Sequence, residues 1–144
     1  DKYMTRGMPL DGDLLFTTEA PLGDVAEVPK NTFSLAQRVV LLRPVHEKIK
    51  SKFLLYQIMG GRFQSKLSGK ETGTTVTGVS SRNFKTIEIN FPMSIQIQEQ
   101  IIQEIESKFS VIDKVEEVVN QSLIKAEKLR KSILKSAFEG KLVK

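Results

Sequence analysis

Apolar and polar residues follow two rhythms along this chain. Up to about residue 93, apolar runs are short and are broken by Gly, Pro and Thr. From Ser94 to Phe138 there is neither Gly nor Pro, and charged residues are dense. In the first region, Asp13-Leu14-Leu15-Phe16-Thr17 after Gly12 reads as a short strand, and Pro21-Leu22-Gly23-Asp24 as a turn. Val25 to Val28 gives a second strand, ended by Pro29, and Arg38 to Arg43 a buried strand, stopped by Pro44. Glu47 to Met59 places Ile49, Phe53, Leu54 and Ile58 at helical spacing, and Gly60-Gly61 closes that helix. Arg62 to Leu67 can add a turn or two. Thr74 to Val79 is β-leaning or looped, and Thr86 to Phe91 alternates like a strand. Strands and helices do not alternate regularly, so the pattern predicts a small mixed α+β module rather than a doubly wound sheet.

The second region predicts one long C-terminal α-helix with Ser94 as its N-cap. Ile105, Ile112, Val119, Ala126 and Ile133 fall at heptad position a, and Ile101, Val115 and Leu129 at d. Ile102, Phe109, Leu123 and Ala137 fall at e, while Lys108, Ser122 and Ser136 interrupt d. Such a helix is roughly 65 Å long at about 1.5 Å per residue. A module of this size covers the first turns of that stripe, and the remainder requires a partner helix.

Charge sets the direction of that partner. Up to Gln121 the acids Glu99, Glu104, Glu106, Asp113, Glu116 and Glu117 face only Lys108 and Lys114. From Ser122 onward Lys125, Lys128, Arg130, Lys131, Lys135, Lys141 and Lys144 face only Glu127 and Glu139. Part of this asymmetry complements the helix macrodipole. Against a similar helix, a parallel pair sets like charges side by side, and an antiparallel pair sets acid against base. The expectation is an antiparallel coiled coil, its second helix supplied by the same polypeptide or by a second copy.

Composition narrows the chemistry. The 144 residues correspond to one domain, or a domain with an appendage. No run of about 18 apolar residues predicts a membrane span, and no charged start with an apolar run predicts a signal peptide. The chain begins at Asp1 rather than Met, so an upstream segment is expected. There is no cysteine, which removes disulfides and thiolate metal sites and fits a reducing cytoplasm. The lone histidine, His46, reads as a surface residue at a helix start. A formal charge of +5 favours nucleic acid or another acidic partner.

No catalytic constellation is legible. Gly69-Lys70-Glu71-Thr72 lacks the upstream glycine and the preceding strand of a phosphate loop. Asn90-Phe91-Pro92 is not the Asn-Pro-Pro-aromatic signature of an adenine methyltransferase. Glu139-Gly140-Lys141 lacks the Pro-Asp partner of a nuclease, and Gly140 reads as a helix C-cap. The suggestive stretch is GRFQSKLSGKETGTTVTGVSSRNFK, where Arg62, Lys66, Lys70, Arg82 and Lys85 face one acid, Glu71. Thr72, Thr74, Thr75, Thr77, Ser80 and Ser81 add hydroxyls, and Gly69, Gly73 and Gly78 allow close backbone approach. Cations, hydroxyls and exposed amides are the groups that contact phosphate. A solvated Thr-rich loop has the same composition, and both readings stand on the residues alone.

From Ser94 to Val143 the chain resembles the C-terminal conserved helix of type I restriction-modification specificity subunits. The residues that carry this are Pro92, Glu99-Gln100, the heptad run, Leu129-Arg130-Lys131-Ser132-Ile133-Leu134 and Ala137-Phe138-Glu139-Gly140-Lys141-Leu142. The stretches GDLLFTTEAPLG, FSLAQRVVLLRP, FLLY and GTTVTGVS, leading into an IEINFP strand, resemble the later part of a target recognition domain. Met93-Ser94 follows Pro92 where the family often has a second proline. Family members usually carry two recognition domains and two helices, whereas this chain holds part of one domain, residues 1–93, and one helix, residues 94–144.

The resemblance implies a non-catalytic subunit that reads half of a split target in double-stranded DNA. Its helix acts as an antiparallel spacer and docks modification (methyltransferase) subunits, and a restriction subunit joins the full complex. The chain itself is expected to hold no cofactor or metal. S-adenosylmethionine, ATP and Mg are expected on the partner subunits, and the location is the prokaryotic cytoplasm. For DNA contact the expected residues are Arg62, Lys66, Lys70 and Arg82, with Thr74 and Thr75 as close-approach hydroxyls and Arg38 as a further candidate. For helix pairing they are Ile105, Ile112, Val115, Val119, Ala126, Leu129 and Ile133. Two other classes compete: a coiled-coil adaptor with no DNA role, and a fragment of a nuclease or methyltransferase, against which the missing motifs argue.

Overall fold

The computed structural model describes residues 8–29, 37–44, 48–72 and 77–142. It divides into two units, Asp1–Ile102 and Gln103–Lys144. The first is mixed α+β. Its sheet is antiparallel, with strand β1 (Leu14–Thr18) between β2 (Leu22–Glu27) and β3 (Val39–Leu42). Leu14 and Phe16 point to one face and are fully buried, as the period of two in a strand demands. Phe16 stands opposite Val25 on β2 and Val40 on β3.

The sheet corrects two local expectations. β2 begins at Leu22, so the turn lies one step earlier, at Ala20-Pro21. Between the pairs Phe16–Val25 and Thr18–Leu22, β2 advances one residue more than β1. Gly23, buried at φ +95°, takes up that bulge. A Cβ there would fall 2.7 Å from Gln64 Oε1 and 2.9 Å from Leu67 Cδ2. β3, expected as a buried strand, is a half-buried edge strand.

Helix α1 (Ser51–Met59) buries Phe53 and Ile58, and α2 (Gly61–Ser68) buries Phe63 and Leu67 at i, i+4. Glu47, the expected start of the first helix, lies outside the described residues, as does His46. Gly60 ends α1 and immediately serves as the N-cap of α2. A short helix, α3 (Ser81–Phe84), was not legible in the pattern. These elements close over the sheet in one core of Leu14, Phe16, Ile58, Phe63, Leu67 and Val79.

Thr86 to Phe91, expected as a strand, forms none. Ile87 and Ile89 do pack on the core, which explains the alternation. The intervening carbonyls are met by side chains instead of a neighbouring strand. Lys66 Nζ donates to the Glu88 carbonyl (2.7 Å), and Gln57 Nε2 to that of Asn90 (3.3 Å).

An ion pair holds the entry to β1. Asp13 is buried and accepts Arg43 Nε (2.8 Å), Arg43 Nη2 (2.7 Å) and the Leu10 N–H (2.7 Å). The Arg43 guanidinium holds the Asp13 carboxyl below the usual aspartate range. Folding therefore favours the charged carboxylate, and the pair's contribution is whole at neutral pH. It is lost as pH falls below the ordinary aspartate value of about 3.9 and on through the depressed folded value. We expect the melting temperature of Asp13→Asn to be lower at neutral pH and to fall less steeply than wild type below about pH 5. Parallel pH profiles in a melting series would remove this role.

Helix α4 spans Ile95–Phe138. Ser94 caps it as expected, its Oγ accepting from the Ile97 N–H (3.4 Å). In the first unit Gln98 and Ile102 are its buried positions. In the second unit the helix ends at Gly140, whose φ is +70°. The Lys141 N–H donates to the Ser136 carbonyl (2.9 Å) and the Gly140 N–H to that of Ala137 (3.1 Å), a Schellman close. No helix among the described residues is long and apolar enough to cross a membrane.

Candidate nucleic-acid interface

The basic segment is built on aromatic packing. Phe63 of α2 and Phe84 of α3 both meet Phe16 of the sheet, with ring centroids 6.3 Å and 4.6 Å away, and lie 6.3 Å from each other. Burying Phe63 and Leu67 turns the opposite side of α2 outward, and with it Arg62 and Lys66. Lys70 follows the C-cap Gly69. Ser80 caps α3, its Oγ accepting from the Asn83 N–H (3.2 Å), and Arg82 and Lys85 flank the anchored Phe84. Asn83 Nδ2 donates to the Lys70 carbonyl (3.2 Å), so the end of α2 is tied to α3. Arg62, Lys66, Lys70, Arg82 and Lys85 thus lie on or next to two helices that share one aromatic anchor.

Partners sort these cations. Arg62, Lys70, Arg82 and Lys85 are exposed, and their charged groups have no partner among the described residues. Lys66 is exposed, but its ammonium is engaged by the Glu88 carbonyl at the rim of a cleft of about 100 Å³ that Arg62 also lines. Arg38 stands apart, just before β3, where its Nε lies 2.5 Å from Glu19 Oε1 in an ion pair. Thr74 and Thr75 lie outside the described residues. The segment that contains them is closed at its base by Thr72 and Gly78, which exchange N–H···O bonds of 2.9 and 3.2 Å.

Glu19 escaped the reading of the sequence. It follows β1, and only the pairing of β1 with β3 brings it to an arginine nineteen residues on. Gly78 bridges to it: a Cβ there would fall 3.2 Å from Glu19 Cβ and 3.4 Å from Glu19 Oε2.

The expected helix-pairing residues all lie on α4. Ile105 is half-buried. Ile112, Val115, Val119, Leu129 and Ile133 are 49–62 % exposed, and Ala126 is exposed as well. A long, largely apolar exposed face of this kind is characteristic of interaction surfaces.

Residues 5–125 match the family described as the type I restriction modification DNA specificity domain, and the chain belongs to that family. Two Escherichia coli relatives are similar to it. The specificity subunit of the type I restriction enzyme EcoDI is 28 % identical over 99 residues, which cover 69 % of this chain and 22 % of that protein. The specificity subunit of the type I restriction enzyme EcoBI is 26 % identical over 143 residues, 99 % of this chain and 30 % of that protein. The chain spans less than a third of the length of either relative.

Proposed function

We propose that this chain is a recognition and assembly part of a type I restriction-modification specificity subunit. It reads half of a split target in double-stranded DNA and catalyses nothing itself. The observation that carries this reading is the group of unpartnered cations, Arg62, Lys70, Arg82 and Lys85, on helices anchored to one aromatic cluster, in a chain of the DNA specificity family. Unpartnered surface cations lose nothing internal when they meet phosphate, and they release counterions when they do so. Lys66 serves better as a support for the Glu88 carbonyl than as a phosphate ligand.

The exposed face of α4 fits an antiparallel helix from the same polypeptide or a second copy, because its acidic first half and basic second half then complement each other. The same helix offers surface to methyltransferase subunits, and a restriction subunit completes the complex. In that assembly S-adenosylmethionine, ATP and Mg²⁺ belong to the partner subunits, and the setting is the prokaryotic cytoplasm.

The test is selection of duplexes from a random-sequence pool by the full-length source protein assembled with its modification subunits. Two short specified blocks around a fixed gap are expected. Recovery of unselected sequence would favour the adaptor reading. Within the same complex, Lys70→Ala and Arg82→Ala are each expected to weaken binding to all duplexes alike and to lower the salt slope by about 0.9. An unchanged slope removes that residue from the phosphate contacts.

A further inference from the structure

An arginine flanks β3 on each side, and each pairs with a carboxylate that flanks β1. The two pairs are built differently. At Arg43 the guanidinium is tied down on one edge: Nε and Nη2 meet Asp13, which is buried, and Nη2 also donates to the Met8 carbonyl (3.0 Å). That pair is structural. At Arg38 the ion pair brings Nε to Glu19 Oε1 at 2.5 Å, and the side chains are 61 % exposed for Arg38 and 32 % for Glu19. Nη1 and Nη2 of Arg38 have no partner among the described residues.

The Arg38 side chain is nevertheless held. Its carbonyl accepts from both the Thr18 N–H (2.9 Å) and Thr18 Oγ1 (3.1 Å), which fixes the root of the side chain. Glu19 fixes the middle of it. Glu19 in turn lies against Gly78, the base of the hydroxyl-rich segment that starts just after Lys70, and a side chain at Gly78 would crowd its carboxylate. An exposed pair of this kind adds little to stability. What it provides is an exposed guanidinium held beside a carboxylate.

We propose that Arg38 reads guanine in the DNA target and that Glu19 is its positioning residue. This rests on the DNA-recognition reading above. Two features separate Arg38 from the phosphate-contacting cations. Its partner is an anion, which repels a phosphate approaching the same place. Its free edge offers parallel N–H donors, and in the major groove only guanine shows two adjacent acceptors, O6 and N7. The Glu19 carboxylate also disfavours an adjacent base edge that presents acceptors alone, and accepts from a cytosine amino group.

The experiment is the same random-pool selection with the full-length protein in its methyltransferase complex, comparing wild type with Arg38→Ala, Arg38→Lys and Glu19→Gln, together with melting curves of each. Wild type should require guanine at one position of the block read by this module. Arg38→Ala should lose that requirement by about tenfold or more while the other positions stay specified. Arg38→Lys, which keeps the charge but not the fork, should bind with near wild-type affinity and still lose the requirement. Glu19→Gln should relax the same position and no other, without weakening binding to unrelated duplex. A uniform loss with a reduced salt slope and an intact motif would make Arg38 a phosphate contact and overturn the proposal. Equal weakening at every position with a lowered melting temperature would make the pair structural and overturn it too. If wild type selects no motif, the recognition reading itself falls, and this inference with it.

Discussion

The double substitution Ile112→Asp with Val119→Asp is expected to abolish helix pairing and leave the first unit folded. Both residues occupy heptad position a of α4, one heptad apart, and both are more than half exposed in the single chain. On the pairing proposed above, a partner helix buries them. Removing each large apolar side chain from such a seam costs about 2–4 kcal/mol, and each aspartate adds the cost of burying a carboxylate. Together they weaken pairing by more than about a thousandfold, since about 1.4 kcal/mol is a factor of ten. Asn120→Asp puts the same charge one residue further round, at position b, outside the seam, and is expected to have no effect. Co-purification of the methyltransferase subunits with the full-length protein reads the result. Normal assembly by the double variant would place the pairing face elsewhere on α4. Because neither position is buried in the single chain, the melting transition of the first unit should not move.

The helix and its apolar stripe were legible because a long helix repeats its signal. Position a returns apolar from Ile105 to Ile133, and no Gly or Pro interrupts it. The ends were legible for a related reason: Ser94 and Gly140 each do a job that few residue types do. Shorter elements carried less. Thr86 to Phe91 shows the alternation of a strand because Ile87 and Ile89 face the core, but one-sided burial does not supply a pairing partner. α3 is four residues long, too short for any period to register. The cations of the basic segment were visible as a group. Their sorting into unpartnered ones and an engaged one was not, because it depends on a carbonyl at Glu88, remote from Lys66 in sequence.

Gln98 was the least legible residue of all. Between Ile97 and Glu99, in a run of glutamines and glutamates, it reads as part of a solvated helix face. In the structure it is 0 % exposed. Its Nε2 donates to the Lys48 carbonyl and to the Pro92 carbonyl, both at 2.7 Å, and its Oε1 accepts from the Lys50 N–H at 2.9 Å. One amide thus satisfies backbone groups at the N-cap of α1, in the turn before it and in the lead into α4. The neighbouring Glu99 adds an exposed ion pair to Lys50 Nζ (2.7 Å), which contributes little by comparison. Gln98→Leu keeps much of the volume but leaves one backbone donor and two backbone acceptors without their partner. Each such loss costs about 1–3 kcal/mol, less where water reaches the group. We expect a total near 3 kcal/mol, on the order of 15 °C in melting temperature for a unit of this size. Gln96→Leu, two residues earlier on the exposed side, should change stability by less than about 0.5 kcal/mol. Gln98→Glu discriminates further, because it keeps the acceptor for Lys50 but turns a donor into a repelling oxygen against two carbonyls. At neutral pH it should be at least as damaging as leucine, and it should recover as the carboxyl is protonated and regains a donor. Denaturant unfolding of the three variants at pH 7 and pH 5 reads all of this. If Gln98→Leu and Gln96→Leu prove equally mild, the amide is dispensable and the start of α4 is held by Ile102 and its apolar neighbours alone.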